Sequence, residues 1–135
     1  MTVSPEVVTG EIARHHIANL LYSYVDIADR KDVTAAVGLL GSARVVFPAG
    51  GYATVDRAQA FFAALWVSPL AHRHDVSNLI VTASSHHAWA ASAHYTRWTF
   101  DPNPVVHTLG EYTLVVDDQD WSISELTVTR TWMRE

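Results

Sequence analysis

Between Glu11 and Ala28 the apolar positions fall at Ile17, Leu20, Leu21, Tyr24, Ile27 and Ala28. That recurrence at i, i+3, i+4 and i+7 predicts an amphipathic helix. Asp32 is suited to cap a second helix over 33–40, which Gly41 can close. The stretch ARVVFP, 43–48, predicts a short strand stopped by its proline, and AGGYAT after it predicts a loop. Asp56 is placed to cap a third helix that carries Phe61, Phe62, Leu65 and Trp66 on one face and ends at SPL. From there the period changes to that of strands, predicted over 76–83, 88–100, 105–116 and 121–132. The turn-forming stretches SSHH, DPNP and DDQD separate them.

Helices gathered first and strands last predict an α+β domain, with a curved antiparallel sheet closed by three N-terminal helices. Curvature is written into the last two strands. The apolar parity is odd at Trp121 and Ile123 and even at Leu126, Val128 and Trp132, so an extra residue, a bulge, is expected near Ser124 or Glu125. Gly110 inside the preceding strand is a second expected bend. A strongly bent sheet closed by helices makes a cone with an interior. On strand 88–100 the small residues Ala88, Ala90 and Ser92 share a face with His94, Thr96 and Trp98, and this face is expected to point inward. Trp89, Tyr95 and Arg97 then point outward, a composition that suits a subunit contact and predicts a homodimer.

Composition narrows the function. A chain of 135 residues is one domain by size. It has no cysteine, which excludes disulfides, thiolate nucleophiles and cysteine-bound zinc. Nine Lys+Arg, scattered under a net charge of −5, argue against a nucleic-acid partner. No apolar run approaches the ~20 residues of a membrane span. The start, MTVSPEVVTGE, lacks the basic and apolar blocks of a signal peptide, so a cytoplasmic protein is expected. No G-x-S-x-G elbow suggests a serine hydrolase.

The titratable positions supply the candidate chemistry. Tyr24 lies on the apolar stripe of the first helix, so its hydroxyl points inward. Asp29 sits near that helix's C-terminal end, where a carboxylate opposes the helix dipole. His74, within HRHDVSN, opens a strand and shares a face with Val76 and Asn78 by the period of two. His94 and Trp98 belong to the inward face of the next strand. Each also has a plainer explanation, as a core tyrosine, a solvated helix end or a strand-end histidine. If Asp29 and His74 meet in an apolar chamber, a raised carboxyl and an imidazole titrating near neutrality can move protons without a cofactor. Tyr24 could then donate to a carbonyl oxygen gaining charge. A metal is the competing use of HRH, since histidines at i and i+2 point the same way. A third ligand is then needed, and His107 and Glu111 are the strand-borne offers; no metal is expected.

The stretches LLYSYVDIADRKDVTAAVGLL, ARVVFP, RHDVSNLIVT and GEYTLVVDDQDWSISELTVTRTW, in this order from about Glu11 to Trp132, resemble the SnoaL-like branch of the nuclear transport factor 2 superfamily. The motifs are Tyr-x4-Asp-x2-Asp at Tyr24, Asp29 and Asp32, His-x3-Asn at His74 and Asn78, and a late Trp-x-Ile. The resemblance implies a cone with a deep apolar pocket. It also implies kinship with scytalone dehydratase, bile-acid dehydratase, ketosteroid isomerase and polyketide cyclases. It implies that Asp29 and His74 act as the acid–base pair, with Tyr24 in the pocket. With that pair working on a hydrophobic, carbonyl-bearing small molecule, Tyr24, Asn78, His94 and Trp98 are expected around it. By analogy with the dehydratases the resemblance offers a trimer as the alternative to a dimer. The chain departs from scytalone dehydratase at Ala28, where a tyrosine is expected, and at Trp98 or Thr99, where a second histidine is expected. A non-catalytic binding or dimerisation module of the same fold is the other function the resemblance allows.

Overall fold

The computed structural model describes residues 8–135. Helix α1 runs Gly10–Arg30, started by the Thr9 hydroxyl, which accepts from the Ile12 amide. It is ended by Lys31 in the left-handed region (φ 53°), a C-terminal cap geometry that reuses the last carbonyls of the helix. The predicted stripe is its buried face: Ala13, Ile17, Leu21, Tyr24 and Ala28 are all covered. Helix α2, Val33–Leu40, is capped by Asp32, whose carboxylate accepts from the Ala35 amide at 3.0 Å. Helix α3, Ala58–Leu65, is preceded by a 3₁₀ turn at Val55–Arg57. Asp56 therefore lies inside that turn and does not cap α3.

The sheet has six strands: β1 Arg44–Phe47, β2 Gly50–Tyr52, β3 Ala71–Ser85, β4 Ala88–Phe100, β5 Pro104–Asp117 and β6 Ser122–Met133, in spatial order β2-β1-β6-β5-β4-β3. It is mixed, because β1 runs parallel to β6. The expected four-strand meander, β3 to β6, is antiparallel throughout and β1 joins it in parallel, while the expected loop at 49–54 contains β2. Strand β3 begins earlier than predicted, so His72, Arg73 and His74 lie inside it and do not open it.

The bulge expected near Ser124 or Glu125 is present, and the expected bend at Gly110 coincides with a further bulge on β6 that the parity did not signal. The pairing shifts between Val115↔Glu125 and Val116↔Ile123, which leaves Ser124 as the extra residue. A second shift at Gly110 leaves Thr131 extra and turns the parity of β6 again, so Trp132 lies exposed. Gly110 is demanded by close approach: a Cβ there would meet the Thr129 carbonyl oxygen at 2.1 Å and the Tyr95 ring at 2.6 Å. Inside the cone the helices and the concave face bury Phe62, Ile17, Leu21, Leu40, Leu114 and Leu126. No described helix is long and apolar enough to cross a membrane.

The facing of β4 is opposite to the expected one. The buried residues are Ala91, Ala93, Tyr95 and Thr99, while His94 is exposed. Directly opposite residues in a sheet share a face, and β5 places Leu114 against Ala91 and Tyr112 against Ala93. Those large buried side chains decide which way β4 looks. The subunit contact expected through Trp89, Tyr95 and Arg97 falls with this correction, because Tyr95 and Arg97 point into the cone.

Candidate active site

The open end of the cone holds a cavity of about 190 Å³, lined by His72, His74, Tyr95, Arg97, His107, Thr108, Tyr112, Arg130 and Met133 from the sheet, by Tyr24 and Leu65 from the helices and by Trp66 just past the end of α3. The lining follows from strand register. His74 on β3 pairs with Arg97 on β4, Arg97 with Thr108 on β5, and Thr108 with Met133 on β6. One cross-strand row thus crosses four strands, and every member of it faces the cavity. The next row runs Val76, Tyr95, Gly110 and Arg130.

His74 and Asp29 are in contact. Asp29 Oδ1 accepts both the His74 backbone N–H, at 2.8 Å, and His74 Nδ1–H, at 2.7 Å. With the carboxylate accepting at Nδ1, the bare nitrogen of the ring is Nε2. His74 lines the cavity and Asp29 does not. Asp29 stands behind the imidazole, fixing its orientation and tautomer. The two groups do not share one chamber as separate acid and base, as the sequence suggested.

Tyr24 is buried on α1, edge-on to Tyr112 at 5.8 Å between ring centroids. Tyr112 in turn stacks on Tyr95 at 4.5 Å. Burial holds the Tyr24 and Tyr112 phenols well above their ordinary titration range, so both stay protonated donors. Tyr95 is engaged with the Thr129 carbonyl at 3.1 Å, whereas the Tyr24 and Tyr112 hydroxyls have no hydrogen-bond partner among the described residues.

Three of the other expected site residues lie elsewhere. Asn78 occupies a bulge of β3 in the left-handed region (φ 58°) and is exposed. The extra residue breaks the period of two, so Leu79 takes the inward position instead. His94 pairs with Glu111 across the outer face at 3.6 Å. Trp98 donates its indole N–H to Asp75 at 3.0 Å, also outside the cone.

The structure adds residues that sequence reasoning missed. His72, on the same face as His74, donates Nε2–H to the Ala28 carbonyl at 2.5 Å and accepts Arg97 Nε–H on Nδ1 at 3.1 Å. Arg97 also donates Nη1–H to His107 Nδ1 at 3.1 Å, a nitrogen that receives the Thr108 hydroxyl as well, at 2.7 Å. A guanidinium only donates, so both imidazoles present lone pairs and are neutral. Burial, first, lowers the His72 pKa to about 4 and lowers that of His107, with Arg97 adding to both. The available signal for Arg97 was the register of the β4–β5 hairpin, which puts it opposite Thr108.

The ligating atoms of Asp29, His72 and His74 come within 4.8 Å of one another. They do not suit a metal. Both His72 nitrogens are spent, one on a carbonyl and one on a guanidinium, and Asp29 Oδ1 and His74 Nδ1 are engaged with each other, which leaves too few free ligand atoms for a three-residue site.

Comparisons with known proteins agree on the architecture. No family model and no curated protein matches the chain. Among solved structures, a candidate scytalone dehydratase from Novosphingobium aromaticivorans superposes with TM-score 0.76 at 14% identity, over 92% of this chain and 87% of the other. ActVI-ORFA from Streptomyces coelicolor gives TM-score 0.76 at 12% identity, over 88% and 98%. The fold is SnoaL-like. A hexachlorocyclohexane dehydrochlorinase (LinA) of type 2 shares this SnoaL-like fold, with TM-score 0.76 at 16% identity over 90% and 87%. At such identities the SnoaL-like likeness is one of fold, and the chemistry has to be argued from this chain's own cavity.

Proposed function

We propose that the protein is a cofactor-independent acid–base enzyme acting on a hydrophobic, carbonyl-bearing ring compound, with His74 as the proton-moving group. The observation that carries this is the 2.7 Å contact between Asp29 Oδ1 and His74 Nδ1, with Nε2 the remaining lone pair of a ring that lines the cavity. His74 Nε2 takes a proton from the carbon beside the substrate carbonyl. Electron density moves onto the carbonyl oxygen, where the Tyr24 and Tyr112 hydroxyls donate. The imidazolium, steadied by Asp29, then returns the proton. Delivery to a leaving hydroxyl yields water and a conjugated product; delivery to a distant carbon migrates a double bond; attack of the enolate carbon on a second carbonyl closes a ring. A positioned acid–base group of this kind contributes about 10²–10⁴-fold.

A second reading is a binding module without turnover. The aromatic lining favours it: Tyr95 and Tyr112 stack at 4.5 Å beside Tyr24 and Trp66, and such a surface holds a flat ring by itself. The test is turnover on β-hydroxy and β,γ-unsaturated cyclic ketones, followed by the absorbance of the conjugated enone. Under the enzymatic reading His74→Gln loses about a hundredfold or more while ligand binding persists. A His74→Gln variant as fast as wild type, or no turnover across the panel with binding intact, leaves the binding module.

A further inference from the structure

The charge inside the cavity does not balance. Arg97 is half-buried there, and both hydrogen bonds it makes go to neutral imidazoles, His72 at 3.1 Å and His107 at 3.1 Å. The ion pairs among the described residues involve Arg30, Arg73 and three histidines, and none reaches Arg97. No acid among the described residues lines the cavity: the nearby Asp29 lies outside it, its Oδ1 engaged with the His74 backbone and ring N–H groups. A second cation, Arg130, lines the same space. An uncompensated guanidinium withdrawn from water is costly, and burial lowers the Arg97 pKa accordingly.

The arrangement around Arg97 is built to hold the group still while leaving a donor edge unspent. His72 is tied to the last turn of α1 through the Ala28 carbonyl, and its Nδ1 anchors Nε of Arg97. His107 anchors Nη1. Nη2 has no partner among the described residues. Neutral acceptors fix the guanidinium without cancelling its charge, as a carboxylate would. We infer that Arg97 receives a carboxylate of the ligand, so that the cavity takes ring compounds bearing an acid group in preference to neutral ones. This deepens the proposed function by naming the substrate class. Arg97 is the cross-strand neighbour of His74, so a ring held by its carboxylate at Arg97 lies beside the imidazole.

The test is binding of 2-naphthoate against 2-naphthamide, a pair matched in shape and differing in charge, by calorimetry and by quenching of tryptophan fluorescence. Wild type is expected to prefer the acid by about tenfold or more, the usual scale of a charge-assisted pair. Arg97→Gln brings the ratio close to one. Arg97→Lys, which keeps the charge and loses the fork, retains part of the preference. Arg130→Gln retains most of it. A wild-type protein that binds the amide as tightly as the acid, or that binds neither, overturns the inference without any variant. So does a preference that survives Arg97→Gln or that vanishes only in Arg130→Gln. Because the assay reads binding, it fails separately from the catalytic proposal: turnover of a neutral ketone without acid preference removes the carboxylate and keeps the His74 chemistry.

Discussion

Asp29→Asn isolates what the carboxylate gives to His74. The amide is nearly isosteric, and its oxygen can still accept the His74 backbone N–H that Asp29 Oδ1 accepts at 2.8 Å. What disappears is the negative charge beside an imidazole that becomes cationic during turnover. Two unit charges about 4 Å apart interact by ~4 kcal/mol at an effective dielectric of about 20. The Asp29 side chain is 27% exposed and that of His74 9%, so solvent screening reduces this to roughly 2 kcal/mol at the low end. At about 1.4 kcal/mol per decade, kcat/KM should fall by about 30- to 1000-fold. Asp29 does not line the cavity, so KM should stay within about threefold. The assay is steady-state turnover of the best substrate from the ketone panel, alongside 2-naphthoate binding. The double variant supplies the decisive control. If Asp29 acts only through the imidazole, Asp29→Asn adds little to His74→Gln. Full additivity of the two losses, or an Asp29→Asn enzyme as active as wild type, refutes the positioning role.

Further outcomes follow from the structure. His72 is held neutral in the fold with its pKa lowered to about 4 from an ordinary 6.5, so the unfolded chain binds the extra proton between those values. Its contribution to stability is complete above the unfolded value and is lost as pH falls through the window. Urea unfolding should show a slope of at most about 1.4 kcal/mol per pH unit there, and His72→Gln should flatten it. Gly110→Ala drives a Cβ to 2.1 Å from the Thr129 carbonyl and 2.6 Å from the Tyr95 ring, so it should cost about 1–3 kcal/mol or more and lower Tm. Gly38→Ala, in the exposed interior of α2 with nothing within 4 Å, should instead stabilise by about 0.5–1 kcal/mol. His94→Gln and Trp98→Phe, both on the outer face, should leave turnover of the best ketone near the wild-type rate; a drop of about tenfold or more in either would place that side chain back in the chemistry.

The amphipathic stripe of α1, the Asp32 cap, the turns between the long strands, the bulge at Ser124 and the bend at Gly110 were legible along the chain. Each depends on neighbours a few residues apart, and a break in parity or a capping side chain records it directly. The pairing of a late-α1 aspartate with a strand histidine was suggested by the family resemblance, and the contact at 2.7 Å gives it geometry. Strand β4 shows where that reach ends. Its sequence, AWAASAHYTRWTF, carries small residues on both parities and aromatic residues on both. No local count distinguishes its faces.

What the sequence determined by itself was the periodicity: which stretches coil, which extend, where the chain turns and where a strand must bulge. Which side of β4 looks inward, and hence that Arg97 and not His94 stands beside His74, was decided only in the sheet. There Tyr112 and Leu114 sit directly across from Ala93 and Ala91, and their burial outweighs anything β4 prefers alone. The bulge at Asn78 removed that residue from the cavity in the same way, by flipping the remainder of β3. Side-chain direction within a strand is a local property, but the cavity is a row of cross-strand neighbours, and register between distant segments is fixed by the packing of the whole cone.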